Sequence, residues 1–123
     1  MRLFYLILGG ILGTASRYAL STAVREGAGR GFPSGTLAVN VLGCLIIGFL
    51  STVNQGRVLQ NDNMQMFLAV GFCGAFTTFS TLVLETANLA KGGDGFRALL
   101  YVAVSIFAGL AAFVFGHRLG RFF

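Results

Sequence analysis

Charge is what this sequence has least of. Of its 123 residues, nine are Lys or Arg and four are Asp or Glu, 11% in all, where an ordinary soluble domain carries about 25%. So few charges cannot readily build a water-facing surface. Because 55% of the chain is hydrophobic, intrinsic disorder is excluded as well. Cysteine is nearly as scarce: Cys44 and Cys73 stand alone, no C-x-x-C occurs, and there is a single histidine. A disulfide framework and a zinc-type site are therefore not expected, and the two thiols read as small apolar residues. The only proline, Pro33, leaves no Pro-rich linker. With 123 residues there is no room for a two-domain enzyme.

The charges that exist are segregated. None occurs between Arg30 and Arg57, between Asp62 and Glu85, or between Arg97 and Arg118. A fourth apolar run from Leu3 to Val24 is interrupted once, by Arg17. A membrane helix needs roughly 20 apolar residues. The sequence therefore predicts a single all-α membrane domain over 1–123, with four transmembrane helices at about 3–24, 34–53, 64–89 and 98–117. A membrane β-barrel would show alternating segments of about ten residues, and none is evident. The first run reads as a retained span, since no small-residue cleavage site is followed by a polar domain. The connections are short and carry Gly27, Gly29, Gly31 and Pro33, then the polar stretch Gln55–Asn63, then Gly92, Gly93 and Gly95. All function is expected to lie in the helices.

Orientation normally follows the Lys/Arg bias between the two sides of the membrane. Here Arg2, Arg57, Arg118 and Arg121 fall on one side, and Arg25, Arg30, Lys91 and Arg97 on the other. The bias is zero. Either the chain inserts in both orientations, and two opposed copies build an antiparallel homodimer like an inverted repeat, or a subtler feature such as loop length sets the orientation. The net charge of +5 is no nucleic-acid signal, because the arginines are scattered at span ends, where they snorkel to headgroups.

Polar residues inside the spans are few. Gly9, Gly13 and Arg17 share a face of the first. An intramembrane Arg is costly, and it serves either to attract an anion or to bind backbone carbonyls. Thr36, Asn40 and Gly43 share a face of the second, where an amide either glues helices together or faces a conduit. The third carries Gly71-Phe72-Cys73-Gly74-Ala75-Phe76-Thr77-Thr78-Phe79-Ser80-Thr81-Leu82. Two glycines and four hydroxyls at mid-membrane suit a helix that breaks and turns carbonyls toward a cation. Phe72, Phe76 and Phe79 follow helical spacing, which from spacing alone reads as packing. Tyr101, Ser105 and Gly109 form a thin stripe on the fourth. Glu85, four residues after Thr81, is the one acid in or near a span and lies toward an interface. Small residues recur at four-residue spacing (Gly9/Gly13, Cys44/Gly48, Gly71/Ala75, Ala108/Ala112/Gly116), which predicts a tight bundle without a wide lumen.

The stretch GFCGAFTTFST resembles the signature of the CrcB/Fluc fluoride channels, as do Gly9-Gly10-x-x-Gly13-x-x-x-x-Arg17 and Gly35-Thr36-Leu37-x-x-Asn40. The resemblance covers all four spans. It implies a dual-topology antiparallel homodimer in the cell inner membrane, with two fluoride pores that carry fluoride passively out of the cytoplasm, and no enzymatic activity. It also implies a structural Na⁺ at the dimer centre, held by the backbone carbonyls of Gly74 and Thr77. The implied fluoride pathway comprises Asn40, Phe79, Thr81 and Ser105, with Tyr101 nearby and Arg17 as a residue that attracts the anion. The family's second pore phenylalanine falls on Leu82, which lacks an aromatic edge. The physics agrees: a pore for a strongly hydrated anion must replace water with donors, which the Asn40 amide and the hydroxyls supply, and the ring edge of Phe79 is electropositive. Two other readings stand beside this one. A small dual-topology proton-coupled drug or cation antiporter would need a carboxylate in the first span, where Arg17 stands. A non-transporting scaffold subunit would use the glycines for packing alone.

Overall fold

The computed structural model describes residues 1–29, 31–53 and 61–123. The elements are α1 (Arg2–Ala28), α2 (Ser34–Val53), α3 (Asp62–Gln65), a π-helix (Met66–Cys73), α4 (Gly74–Phe76), α5 (Phe79–Lys91) and α6 (Gly95–Gly120). Among the described residues there is no strand. Four helical segments are long and apolar enough to cross a membrane: α1, α2, the composite Asp62–Lys91 and α6. α2 has the expected bounds 34–53, while α1, the third span and α6 run up to about a turn beyond the expected limits because polar end residues continue the helices. Arg30, Arg57 and most of the connection 55–63 lie outside the described residues. At each end of the bundle three described cations remain: Arg2, Arg118 and Arg121 at one, Arg25, Lys91 and Arg97 at the other.

Backbone-to-backbone seams hold the bundle together. Where water is absent, helices associate through close packing rather than hydrophobic burial, and small residues let them approach. Against α6, a side chain at Gly48 would strike the backbone of Phe113, one at Gly116 the backbone of Leu45 and Phe49, and one at Gly120 the Phe49 carbonyl. Gly35 of α2 lies equally close to the backbone of Ser21 in α1. The π-helix packs on α1 along Gly9 and Gly13, and its own Gly71 faces the Leu6 carbonyl and the Gly9 Cα. Of the small residues expected at seams, Gly9, Gly13, Gly48, Gly71 and Gly116 stand against a neighbouring backbone. Cys44 and Cys73 are free thiols, and Cys73 packs with Leu50.

The last turn joins the third span to α6. Gly93, at φ +84°, takes the left-handed conformation that glycine adopts at little cost. Asp94 then caps α6 by accepting from the Arg97 N–H at 3.2 Å, a role its short carboxylate suits. At the opposite end of the bundle Arg2 pairs with Asp62, tying the start of α1 to the start of the third span.

Candidate functional site at the broken third span

The third span is interrupted between α4 and α5. Thr77 (φ −86°, ψ 158°) and Thr78 (φ −150°, ψ 112°) are extended, a conformation that β-branched residues favour. An extended pair in a membrane frees backbone groups that need partners, and Asn40 of α2 supplies those of Thr78. Its Oδ1 accepts from the Thr78 N–H at 2.8 Å, and its Nδ2 donates to the Thr78 carbonyl at 3.0 Å. The Thr78 side chain opens α5 by accepting from the Thr81 N–H at 3.3 Å and donating to the Thr81 hydroxyl at 2.9 Å. The Thr77 hydroxyl turns back to the Cys73 carbonyl at 3.0 Å. Its methyl lies on Gly43, where a side chain would overlap it.

This arrangement releases two carbonyls. In an unbroken helix Gly74 would accept from Thr78 and Thr77 from Thr81. Here the Thr78 N–H goes to Asn40 and the Thr81 N–H to the Thr78 side chain. Among the described residues no backbone N–H is bonded to either carbonyl. They belong to the residues named beforehand as cation donors. No cluster of three His, Cys, Asp or Glu suited to a metal occurs among the described residues.

The break also splits the phenylalanine stripe. Phe72 and Phe76 stack at 5.5 Å with planes 11° apart, and Phe76 is buried. Phe79 begins the next helix and is 77% exposed, because two extended residues turn α5 away from the face that α4 follows. Spacing alone treats the three as one face, and that holds only for an unbroken helix. Beside the break lies an open cavity of about 380 Å³, walled mostly by apolar groups, that brings together Asn40, Gly74, Thr77, Phe79 and Leu82.

The remaining candidates fall elsewhere. Tyr101 is fully buried. Its hydroxyl donates to Glu85 Oε2 at 2.7 Å, while Thr36 donates to Oε1 at 2.9 Å. Ser105 donates to the Tyr101 carbonyl at 2.7 Å. Thr81 reaches the break only through Thr78. Arg17, half-buried on α1, shares neither group. Sequence reasoning gave Glu85 too little weight. It links α2, α5 and α6, and it also lines a second open hollow of about 420 Å³ with Arg25, Phe32 and Asp94. The signal lay in its being the one acid inside the expected spans, at 85 in 64–89, four residues after Thr81. Thr78, the residue that Asn40 grips, was likewise not singled out.

A family model described as "CrcB-like protein, Camphor Resistance (CrcB)" matches residues 4–117. The chain belongs to this family. Curated relatives cover nearly its whole length. One from Thermus thermophilus is 44% identical over 119 residues, 97% of this chain and 94% of the relative. One from Chlorobium phaeobacteroides is 41% identical over 113 residues, 92% and 88% of the two chains. One from Bacteroides fragilis is 41% identical over 124 residues, 98% and 97%. Each is named "Fluoride-specific ion channel FluC". With four membrane-long helices and relatives that are channels, this CrcB-family chain is a multi-pass membrane protein.

Proposed function

We propose that the protein is a passive, fluoride-selective channel and not an enzyme, working as an antiparallel homodimer with two pores that release fluoride from the cytoplasm. The observation that carries this reading is the break at Thr77–Thr78 beside an open cavity, in a chain whose near-full-length relatives are named as fluoride channels. The donors suit the anion. Only one of the two Nδ2 protons of Asn40 is spent on Thr78, so a second remains. The Thr81 hydroxyl accepts from Thr78 and keeps its own proton to give. Phe79 presents a ring, and ring edges attract anions.

The balanced Lys/Arg count supports insertion in both orientations. A second, inverted copy laid on the open face at the break would double the two released carbonyls. Gly74 and Thr77 would then hold Na⁺, since neutral backbone oxygens at unwound helices are its usual donors. When bound, the ion contributes positive potential to a neighbouring anion path. The antiporter reading finds no carboxylate in the apolar run of the first span, where the only acid of α1, Glu26, stands in the last turn, and Glu85 is engaged by Thr36 and Tyr101.

Purified protein in liposomes tests the reading. Fluoride is expected to leave loaded vesicles that hold the protein far faster than loaded protein-free ones, with chloride retained. Equal chloride efflux, or no fluoride efflux, would sink it. Leu82→Phe in the same assay is expected to keep or raise the flux, because it adds an aromatic edge to the cavity wall. A folded but inactive variant would show that Leu82 packs rather than lines the path.

A further inference from the structure

A second cluster lies at the far end of α2 and α6, away from the break. Ser51 and Thr52 both stand 3.1 Å from His117 Nδ1. Each hydroxyl already spends its proton, Ser51 on the Gly48 carbonyl at 2.6 Å and Thr52 on the His117 carbonyl at 2.9 Å. Both must therefore accept, which puts the ring proton on Nδ1. Nε2 is then the acceptor and receives an N–H of Arg121 at 3.3 Å. The imidazole thus holds Arg121 in place by one of its five donors, while Arg118 projects beside it. Together with Ser51, Phe113, Val114 and His117, the two arginines line an open hollow of about 410 Å³.

Among the described residues no acidic side chain of the subunit pairs with either guanidinium. The chain has four acids. Asp62 is paired with Arg2, Asp94 with Arg97, and Glu85 is engaged by Thr36 and Tyr101. Glu26 lies near the end of α1, at the opposite face of the bundle. Cations in the last turn of a helix do complement its dipole, but that favours any basic residue and does not explain why two of them line one hollow, with Arg121 held there by His117. The hollow is polar on the headgroup side and apolar on the membrane side, where Phe113 stands one turn below His117 with its ring nearly parallel to the imidazole (14°). Arginine recognises phosphate in a planar, forked geometry, and basic pockets between membrane helices bind anionic headgroups. We infer that Arg118 and Arg121 form a binding site for the phosphate of an anionic phospholipid, with Phe113 and Val114 receiving the start of its acyl chains.

Native mass spectrometry of the detergent-purified full chain tests this with phosphatidylglycerol and phosphatidylcholine at equal concentration. Wild type should retain phosphatidylglycerol over phosphatidylcholine. Arg118→Gln and Arg121→Gln should each lower phosphatidylglycerol occupancy about fivefold, the size of one interfacial arginine's contribution. Arg2→Gln, at the same end but paired with Asp62, removes the same charge and should leave lipid retention unchanged. Elution identical to wild type shows that each variant is folded. Equal retention of the two lipids overturns the site, as does an equal loss in Arg2→Gln. Displacement of the lipid by millimolar inorganic phosphate would assign the hollow to free phosphate and overturn the lipid assignment.

Discussion

Asn40→Asp is expected to stop fluoride flux while leaving a folded protein. Asn40 grips the extended residue Thr78 with both ends of its amide and still has one N–H to offer. An ionised aspartate keeps the acceptor for the Thr78 N–H, but it sets an oxygen 3.0 Å from the Thr78 carbonyl with no proton between them. It also places a negative charge in the proposed anion path. Two unit charges about 4 Å apart at an effective dielectric of about 20 repel by about 4 kcal/mol, close to a thousandfold in rate. A protonated aspartate escapes that repulsion, yet its single proton is taken by the Thr78 carbonyl and none is left for the anion. Both forms lose the donor, so acidification should not rescue the variant. Fluoride efflux from liposomes should fall at least about 100-fold, with elution unchanged. Wild-type flux from this variant would remove the Asn40 amide from the path.

How much of this was legible beforehand depended on the range of the interaction. The spans were legible because lipid tolerates few charges, so gaps between Arg30, Arg57, Asp62, Glu85, Arg97 and Arg118 trace the helices directly. The break was legible from the run Gly74 to Thr81, because its composition suits interrupted backbone. What holds the break was not legible. Asn40 and Thr78 are 38 positions apart, and only the packed bundle sets that amide beside that backbone. The same limit hid the bridge from Glu85 to Thr36 and Tyr101. The π-helical stretch Met66–Cys73 carries no local signature; it lies where Gly9, Gly13 and Gly71 bring two backbones together. Phe79 left its stripe because a two-residue break ends the helical period that spacing assumes.

Gly13→Val should disrupt the subunit itself. A side chain at Gly13 would lie 3.1 Å from the carbonyl carbon and Cα of Phe72 and closer still to its oxygen. These are backbone atoms, so no side-chain rotation relieves the clash. Gly9 has the same relation to the Phe72 N–H and the Phe67 carbonyl carbon, at 2.9 and 3.0 Å. The two helices would have to separate along this seam, and the π-helix and the break that follows would move with it. Overpacking of this kind costs about 1–3 kcal/mol where neighbours can shift, and more here because the neighbour is a helix backbone. The variant should lose its monodisperse elution peak in mild detergent, and with it all fluoride efflux. Gly10→Ala, one position from Gly9, meets nothing within 4 Å in the subunit and should still fold. If Gly13→Val elutes and melts like wild type, α1 does not rest on the third span through its backbone, and the seam drawn here between Gly9, Gly13 and Gly71 is wrong.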